Sequence, residues 1–349
     1  MIALRPVSAT NQIAAEGAKS FAKKRHLSAT SIARSLLALA LLCWLIFYQI
    51  DFKSLIAAFS ELTFDMVAAL LVISVLLVYV SALKWSFFLR VFGTRVSVVA
   101  LFGLYLIGYF VNLIVPSVVG GDALRSYYIG AKSGHHEAVT ATLLERYTGC
   151  VAMAVLAFSL MWNVALVTWQ IKVVVTFFAL FMCAISFVAL SPRTLALLER
   201  TIFTRIRFLK RVDHHIRRIQ EGFRVAQKDT VLLLKAFALS FFFHSLTILN
   251  TVAAGYAVGW HEPPIQELFV IVPVILLVGA LPITPGGLGV QEGAFYYFLT
   301  GIGATPAQAV GIAVILRAKT YVLAISGGLV WLLWRPGKRF PKKVAVPIE

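Results

Sequence analysis

Long apolar segments separated by short polar loops form the main pattern of this chain. Six of them approach or exceed the roughly 20 residues that an α-helix needs to cross a bilayer. They cover residues 35–50, 66–92, 138–162, 172–190, 230–256 and 306–334. Two further apolar stretches, 98–133 and 267–304, are interrupted by proline and glycine. The pattern predicts an all-α polytopic membrane protein with about six transmembrane helices and two broken segments, or eight spans by hydropathy alone.

Basic and acidic residues predict how these segments are oriented. A leader at 1–34 and a tail at 335–349 are rich in Lys and Arg, and both are expected to be cytoplasmic, on either side of a single transmembrane domain at 35–334. The loops near 51–65 and 261–267 are acidic and are expected outside. Residues 193–228 combine apolar helical spacing with many arginines, which predicts a basic amphipathic helix on the inner lipid surface. A soluble cytoplasmic hairpin is the alternative for that stretch.

This orientation makes the two broken segments unusual. If both termini are inside, the stretch 98–133 must enter and leave on the inner face, and 267–304 on the outer face. Both would then be re-entrant hairpins of opposite orientation. The competing interpretation makes each hairpin a pair of full spans, which gives eight crossings and also leaves both termini inside.

Both broken segments carry the same order of residue types. Each has a proline, a glycine-rich turn, a carboxylate, a tyrosine pair, an Ala-Val helix start and an arginine, within 112–146 and again within 281–319. The carboxylate precedes the arginine by 24 positions in the first copy (Asp122 to Arg146) and by 25 in the second (Glu292 to Arg317). We interpret this as an internal repeat. An inverted repeat whose broken helices meet near the bilayer midplane is typical of transporters.

The two arginines lie deep in the predicted spans. Counted at 1.5 Å per residue, Arg146 is about 15 Å and Arg317 about 16 Å from the membrane surface, near the middle of a core about 30 Å thick. An arginine there costs at least about 2.5–3.5 kcal/mol, so it needs a carboxylate, a cavity or an anionic ligand. Either the guanidinium groups receive a phosphate-bearing headgroup, or they form structural ion pairs with Asp122, Glu145 or Glu292.

A candidate substrate-binding site follows from the two copies of the motif. It comprises Asn112, Gly120, Gly121, Asp122, Arg125, Glu145, Arg146, Pro285, Gly286, Gly287, Gly289, Glu292 and Arg317. The glycine-rich tips open helices whose free N–H groups attract anions, or they only permit tight turns and close packing. Lys84 is expected to snorkel to the inner interface, and Lys319 either to snorkel or to face Glu292.

Other classes of function have little support. The net charge of +17 is explained by cytoplasmic loops, so we expect no nucleic-acid partner. Cys43, Cys150 and Cys183 lie in apolar runs without CxxC spacing, which predicts neither disulfides nor a metal site. The chain has no HExxH, phosphate loop or GxSxG sequence, so we expect no catalytic residue and no cofactor.

The motifs at 112–128 with Glu145 and Arg146, and at 281–292 (LPITPGGLGVQE) with Arg317, resemble the flippase-like family built on the transmembrane region of lysylphosphatidylglycerol synthases. The resemblance covers essentially the whole chain after residue 34. It implies a bacterial inner-membrane protein that handles lipid translocation. The bifunctional members carry a cytosolic aminoacyl-transferase domain after the membrane region, whereas this chain ends at Glu349, so we do not expect it to lysinylate lipids itself. Gln291 departs from the family pattern, in which arginine is also common at this position.

Together these features predict an inner-membrane lipid transporter, or flippase, for a phospholipid, glycolipid or isoprenoid-type lipid. The headgroup would bind between the two glycine-rich tips and the two arginines, and membrane lipids would be its partners. The alternative is a membrane-embedded lipid-modifying enzyme, or the non-catalytic partner subunit of a separate transferase.

Overall fold

A computed structural model describes residues 36, 52–114, 120–191, 194 and 219–334. Within these residues the chain forms helices and no strands, which confirms the all-α prediction. The basic leader, the tail and, apart from Leu36, the first predicted span lie outside the described residues, as does most of the predicted amphipathic helix. The described end of that helix, residues 219–227, is helical.

Ten α-helices in the described residues have defined bounds. They are α1 (Phe52–Ser60), α2 (Phe64–Val91), α3 (Val98–Ile114), α4 (Gly120–Ser133), α5 (His135–Leu160), α6 (Trp169–Leu190), α7 (Thr230–Tyr256), α8 (Ile265–Ala280), α9 (Val290–Thr300) and α10 (Pro306–Trp334). A 3-10 turn at Pro285–Gly287 lies between α8 and α9. Helices α2, α5, α6, α7 and α10 are long and apolar enough to cross a membrane. They correspond to five of the six predicted spans.

Helix α1 was not predicted, because the acidic stretch around it resembles an external loop. Its Phe59 packs beside Leu70 of α2 in the core of the second half of the chain, and α1 also lies against α10. The sequence of α1, FKSLIAAFS, is mostly apolar, and the acidic residues Asp51 and Glu61 lie just outside its bounds. The apolar residues favour a helix that packs against the bundle.

Two units of four helices repeat the same order: a long helix, two short ones and a long one. The first unit is α2–α5 and the second is α7–α10. Lys84 in the last third of α2 contacts Ser240 in the first half of α7, whereas Leu70 near the start of α2 shares a core cluster with Val252 near the end of α7. The leading helices are therefore antiparallel, and the two units have opposite orientations.

The two units also pack against each other through equivalent helices. The first short helix of each, α3 or α8, packs against the last long helix of the other unit, α10 or α5. The α3–α10 contact is so close that a Cβ atom on Gly327 would overlap the carbonyl group of Leu106. Small residues at crossings of this kind let membrane helices approach closely. This packing joins the two units.

The paired short helices reach only halfway along the long ones. They contain 17, 14, 16 and 11 residues, or about 26, 21, 24 and 17 Å at 1.5 Å per residue. The tip of the first pair contacts Arg146 and that of the second contacts Arg317. Each arginine is eleven residues into its helix (146 − 135 and 317 − 306), which is about 16 Å along it. Both tips therefore end near the middle of a long helix.

The two ends of the bundle separate the predicted outer and inner loops. At one end Glu61 lies 3.5 Å from His261, and the Gln308 amide donates to the carbonyl group of Gly259 at 3.0 Å. At the other end Gln220 donates to the carbonyl groups of Val188 and Ser191. The acidic loops that were expected on one side are thus neighbours in the structure.

Candidate functional site

A cavity of about 480 Å³ lies between the two units, lined by side chains from both. Its lining includes six charged residues: Lys84, Glu145, Arg146, Glu292, Arg317 and Lys319. Apolar side chains such as Leu77 and Phe243 complete the wall. Because Arg146 and Arg317 are each about 16 Å along their helices, the charged part of the cavity lies near the middle of the bundle.

In the first unit, five charged residues form what we call the first charge cluster: Lys84, Asp122, Arg125, Glu145 and Arg146. Arg146 binds Asp122 through two parallel hydrogen bonds, from Nε to Oδ2 and from Nη2 to Oδ1, both 2.9 Å long. This fork-to-fork geometry is the strong form of an arginine–carboxylate pair. It connects the first turn of α4 to the middle of α5.

Glu145 is the buried centre of the first charge cluster. Its Oε2 accepts from Nη2 of Arg125 at 2.9 Å, and its Oε1 lies 3.4 Å from Nζ of Lys84. Arg125 also lies 3.1 Å from Asp122, and its guanidinium group is held over the rings of Trp85 and Tyr105, 4.7 and 4.0 Å from their centroids. Opposite charges and aromatic faces compensate the burial of these cations.

In the second unit, Gln291, Glu292 and Arg317 form what we call the second charge cluster. Arg317 donates from Nε to Oε1 of Glu292 at 2.6 Å and from Nη2 to the side-chain oxygen of Gln291 at 3.1 Å. Its Nη1 donates to the carbonyl group of Gly286 at 3.1 Å. The arginine therefore binds the backbone of the glycine-rich tip as well as the helix that follows it.

The N–H groups at the start of both second arms have partners. The Gly121 N–H donates to Oδ1 of Asn112 at 2.7 Å, and the Gly289 N–H donates to Oε2 of Glu292 at 2.7 Å. A Cβ atom on Gly121 would lie 2.5 Å from the carbonyl oxygen of Gly108, and one on Gly287 would lie 2.6 Å from that of Gly279. These two tip glycines therefore let each hairpin's arms touch, which supports the packing interpretation.

The structure distributes the thirteen predicted site residues between the cavity wall and the layer behind it. Glu145, Arg146, Glu292 and Arg317 line the cavity. Asp122 and Arg125 contact these residues from behind. The cavity lining does not include Asn112, Gly120, Gly121, Pro285, Gly286, Gly287 or Gly289. The two cavity arginines are thus held in part by residues behind the wall, Arg146 by Asp122 and Arg317 by Gly286.

Two features of the cavity were missed. Lys84 does not snorkel: it is buried, pairs with Glu145 and donates to Oγ of Ser240 at 3.1 Å. The polar residues Ser240, His244, Thr247 and Thr251 lie on one face of α7, and the last three line the cavity. Their spacing within an apolar span was visible in the sequence as a helical polar stripe.

No cluster of three or more His, Cys, Asp or Glu residues suitable for a metal ion occurs in the part of the chain that the structure describes.

Fold and site together define a multi-pass helical membrane protein, built from two oppositely oriented units around a central charged cavity. The chain belongs to the family of the lysylphosphatidylglycerol synthase transmembrane region, which matches residues 31–328. This confirms the resemblance drawn from the two motifs.

Two proteins of the archaeon Methanothermobacter thermautotrophicus, each described as a UPF0104 membrane protein, are similar to this chain. One is 24% identical over 327 residues, which cover 86% of this chain and 92% of the relative. The other is 23% identical over 270 residues, which cover 71% and 78%. No solved structure matches. The relatives support a membrane protein over nearly the full length of the chain.

Proposed function

We propose that this protein moves a lipid between membrane leaflets, with the headgroup passing through the central cavity. One observation carries the proposal: the cavity lies where the two opposed units meet, and four of its six charged lining residues are cations. Transporters built from inverted repeats bind their substrates at this place. A polar site in the middle of a membrane is costly, so it is expected where a substrate must pass.

The size of the cavity fits a headgroup and not a whole lipid. Its volume of about 480 Å³ is within the range of small-molecule sites, roughly 300–1,000 Å³. The acyl chains would remain in the bilayer while the headgroup occupies the cavity. A phospholipid, a glycolipid or an isoprenoid-type lipid phosphate all meet this description.

The two hairpins are proposed to be re-entrant. All four arms are shorter than a hydrocarbon core about 30 Å thick, and both tips end halfway along a long helix. Non-helical backbone at that depth is tolerated when protein buries it or when it lines a cavity. With the basic segments on the cytoplasmic side of an inner membrane, one hairpin enters from each face.

The paired arginines would exchange partners during transport. Asp122 and Glu292 bind Arg146 and Arg317, and the guanidinium fork matches a phosphate as well as a carboxylate. A headgroup phosphate would therefore compete with the carboxylates and loosen the tips. On this basis we propose a transporter and not an enzyme, with membrane lipid as its partner.

Lipid transport by purified protein in liposomes tests the proposal. The inner and outer leaflet populations of a fluorescent phosphatidylglycerol would be followed with Arg146→Ala, Arg317→Ala and a matched control, Arg224→Ala, whose exposed arginine lies outside the cavity. Loss of a charged hydrogen bond predicts transport slower by about tenfold or more in the two cavity variants. Equal transport by all three variants would contradict the proposal, and incorporation of a labelled donor into the lipid would favour an enzyme.

A further inference from the structure

Lys319 differs from the other cations of the cavity because it has no counter-charge among the residues that the structure describes. Lys84 lies 3.4 Å from Glu145, Arg146 lies 2.9 Å from Asp122, and Arg317 lies 2.6 Å from Glu292. Lys319 lines the same cavity, is partly buried, and forms neither an ion pair nor a hydrogen bond with the described residues. It is the position in the cavity wall at which positive charge is left uncompensated.

The position of Lys319 also argues against snorkelling. It lies thirteen residues from the start of α10 and fifteen from its end (319 − 306 and 334 − 319), which is about 20 and 22 Å at 1.5 Å per residue. A lysine side chain does not extend that far. Its ammonium group therefore stays near the middle of the helix, where it is favourable only beside water or an anion.

The wall formed by α7 supplies the complementary chemistry. The hydroxyl groups of Thr247 and Thr251 donate to the carbonyl groups of Phe243 and Thr247, which leaves their oxygen lone pairs as acceptors. Asn250 also lines the cavity, and its buried Oδ1 has no donor among the described residues. Hydroxyl or amine groups of a ligand would satisfy this wall.

We propose that Lys319 binds the phosphate group of the ligand, while the acceptors on α7 bind its hydroxyl or amine groups. The proposal rests on the proposed function, which it deepens by naming the contact residue for the anion. The two arginines are already paired with Asp122 and Glu292, so the ammonium group of Lys319 makes the first contact with the incoming phosphate. The shared chemistry is a phosphate ester, either on a lipid or in solution.

Equilibrium binding to purified protein tests this assignment without any transport. Native mass spectrometry would measure the dissociation constant of dioleoyl phosphatidylglycerol for the wild type, Lys319→Met, Lys319→Arg and the exposed-lysine control Lys235→Met. We expect Lys319→Met to weaken binding by about tenfold or more, as for loss of a charged hydrogen bond. Lys319→Arg and Lys235→Met should remain near the wild type. Diacylglycerol, which lacks the phosphate, should bind independently of Lys319.

A stability measurement separates ligand binding from a structural role. Without ligand, Lys319→Met should unfold at the same temperature as the wild type or at a higher one, because an unpaired buried charge has been removed. A lower unfolding temperature would mean that Lys319 supports the fold and would overturn the proposal. Equal affinity of Lys319→Met and wild type for phosphatidylglycerol would overturn it as well.

Competition with inorganic phosphate and glycerol phosphate identifies the source of the anion. If the soluble phosphates displace phosphatidylglycerol from the wild type but not from Lys319→Met, the ligand is a free phosphate ester. If they displace none, the ligand is a lipid headgroup. Binding that depends on Lys319 without any lipid transport would leave the site in place and contradict the transport proposal. Lipid transport that does not depend on Lys319 would support the transport proposal and contradict the assignment of Lys319 as the phosphate contact.

Discussion

The two charge clusters occupy equivalent places in the two units but hold their arginines differently. In the first, Asp122 gives both oxygens to Arg146, and Asn112 accepts from the N–H of the tip. In the second, Glu292 divides its oxygens between Arg317 and the N–H of Gly289. One carboxylate therefore does in the second unit what two side chains do in the first.

The difference extends to the residue before each arginine. Glu145 precedes Arg146 and neutralises Lys84 and Arg125, whereas the apolar Leu316 precedes Arg317. The side chain of Arg146 is 57% exposed, while that of Arg317 is 18% exposed and also bound to the Gly286 carbonyl group. We infer that the first arginine is the more accessible to a headgroup, and the second more firmly tied to its tip.

Among the substitutions that test the difference between the two clusters, replacement of Glu145 should lower the free energy of unfolding most. Glu145→Gln keeps the shape but leaves Lys84 without a carboxylate and Arg125 with only Asp122, in a buried site. Removing one partner of a buried ion pair costs about 3–5 kcal/mol, and we expect the free energy of unfolding in detergent to fall by about that amount.

The exposed Glu221→Gln is the matched control and should change stability little. A Glu145→Gln protein as stable as this control would show that the buried cations do not need the carboxylate. The first charge cluster would then resemble the second more closely than the distances indicate.

Alanine at the two tip glycines should have the next largest effect, and an unequal one. Gly121→Ala and Gly287→Ala each force a Cβ atom against a backbone carbonyl group, and overpacking of this kind costs about 1–3 kcal/mol. Gly287 also has a φ of +69°, which adds about 1 kcal/mol for a residue with a Cβ atom. The second tip should therefore be the more sensitive in unfolding measurements.

Gly293→Ala provides the control within the second hairpin, which also contains Gly287, since a Cβ atom at Gly293 meets nothing within 4 Å. In the helical α9, alanine should match or slightly exceed the wild-type stability. If Gly121→Ala and Gly287→Ala behave like Gly293→Ala, the arms can separate without loss and the close approach is not required.

The sequence predicted the features that depend on spacing within one unit. Apolar length predicted the five described spans, and the repeated motif predicted that Asp122 and Glu292 were available to Arg146 and Arg317. Both pairs are present in the structure. These partners lie 24 and 25 residues apart on consecutive helices, α4 and α5 or α9 and α10, so the turn between the two helices brings them together in each unit.

Contacts between helices that are not consecutive in the chain, within one unit or between the two, were not predictable in the same way. Lys84 and Ser240 are 156 residues apart, and nothing in the local pattern indicates that α2 turns its lysine toward α7. Lys84 was therefore expected to snorkel, as lysines near helix ends usually do. The carboxylate that keeps it buried comes from a third helix, α5, whose position is set by packing of the whole bundle.

The smallest difference between the units is the side chain that accepts a hydrogen bond from the tip N–H. Substitutions at Asn112 test this difference. Asn112→Ala removes the acceptor for the Gly121 N–H and should cost about 1 kcal/mol, as for loss of a helix cap. Asn112→Asp should retain the hydrogen bond and imitate the carboxylate cap that Glu292 provides for Gly289. Unfolding measurements should therefore give the aspartate variant a higher free energy of unfolding than the alanine variant.

An alanine variant as stable as the wild type would mean that water replaces the side chain of Asn112 as the partner of the Gly121 N–H. The hydrogen bond from the Gly121 N–H to Asn112 would in that case be dispensable for stability.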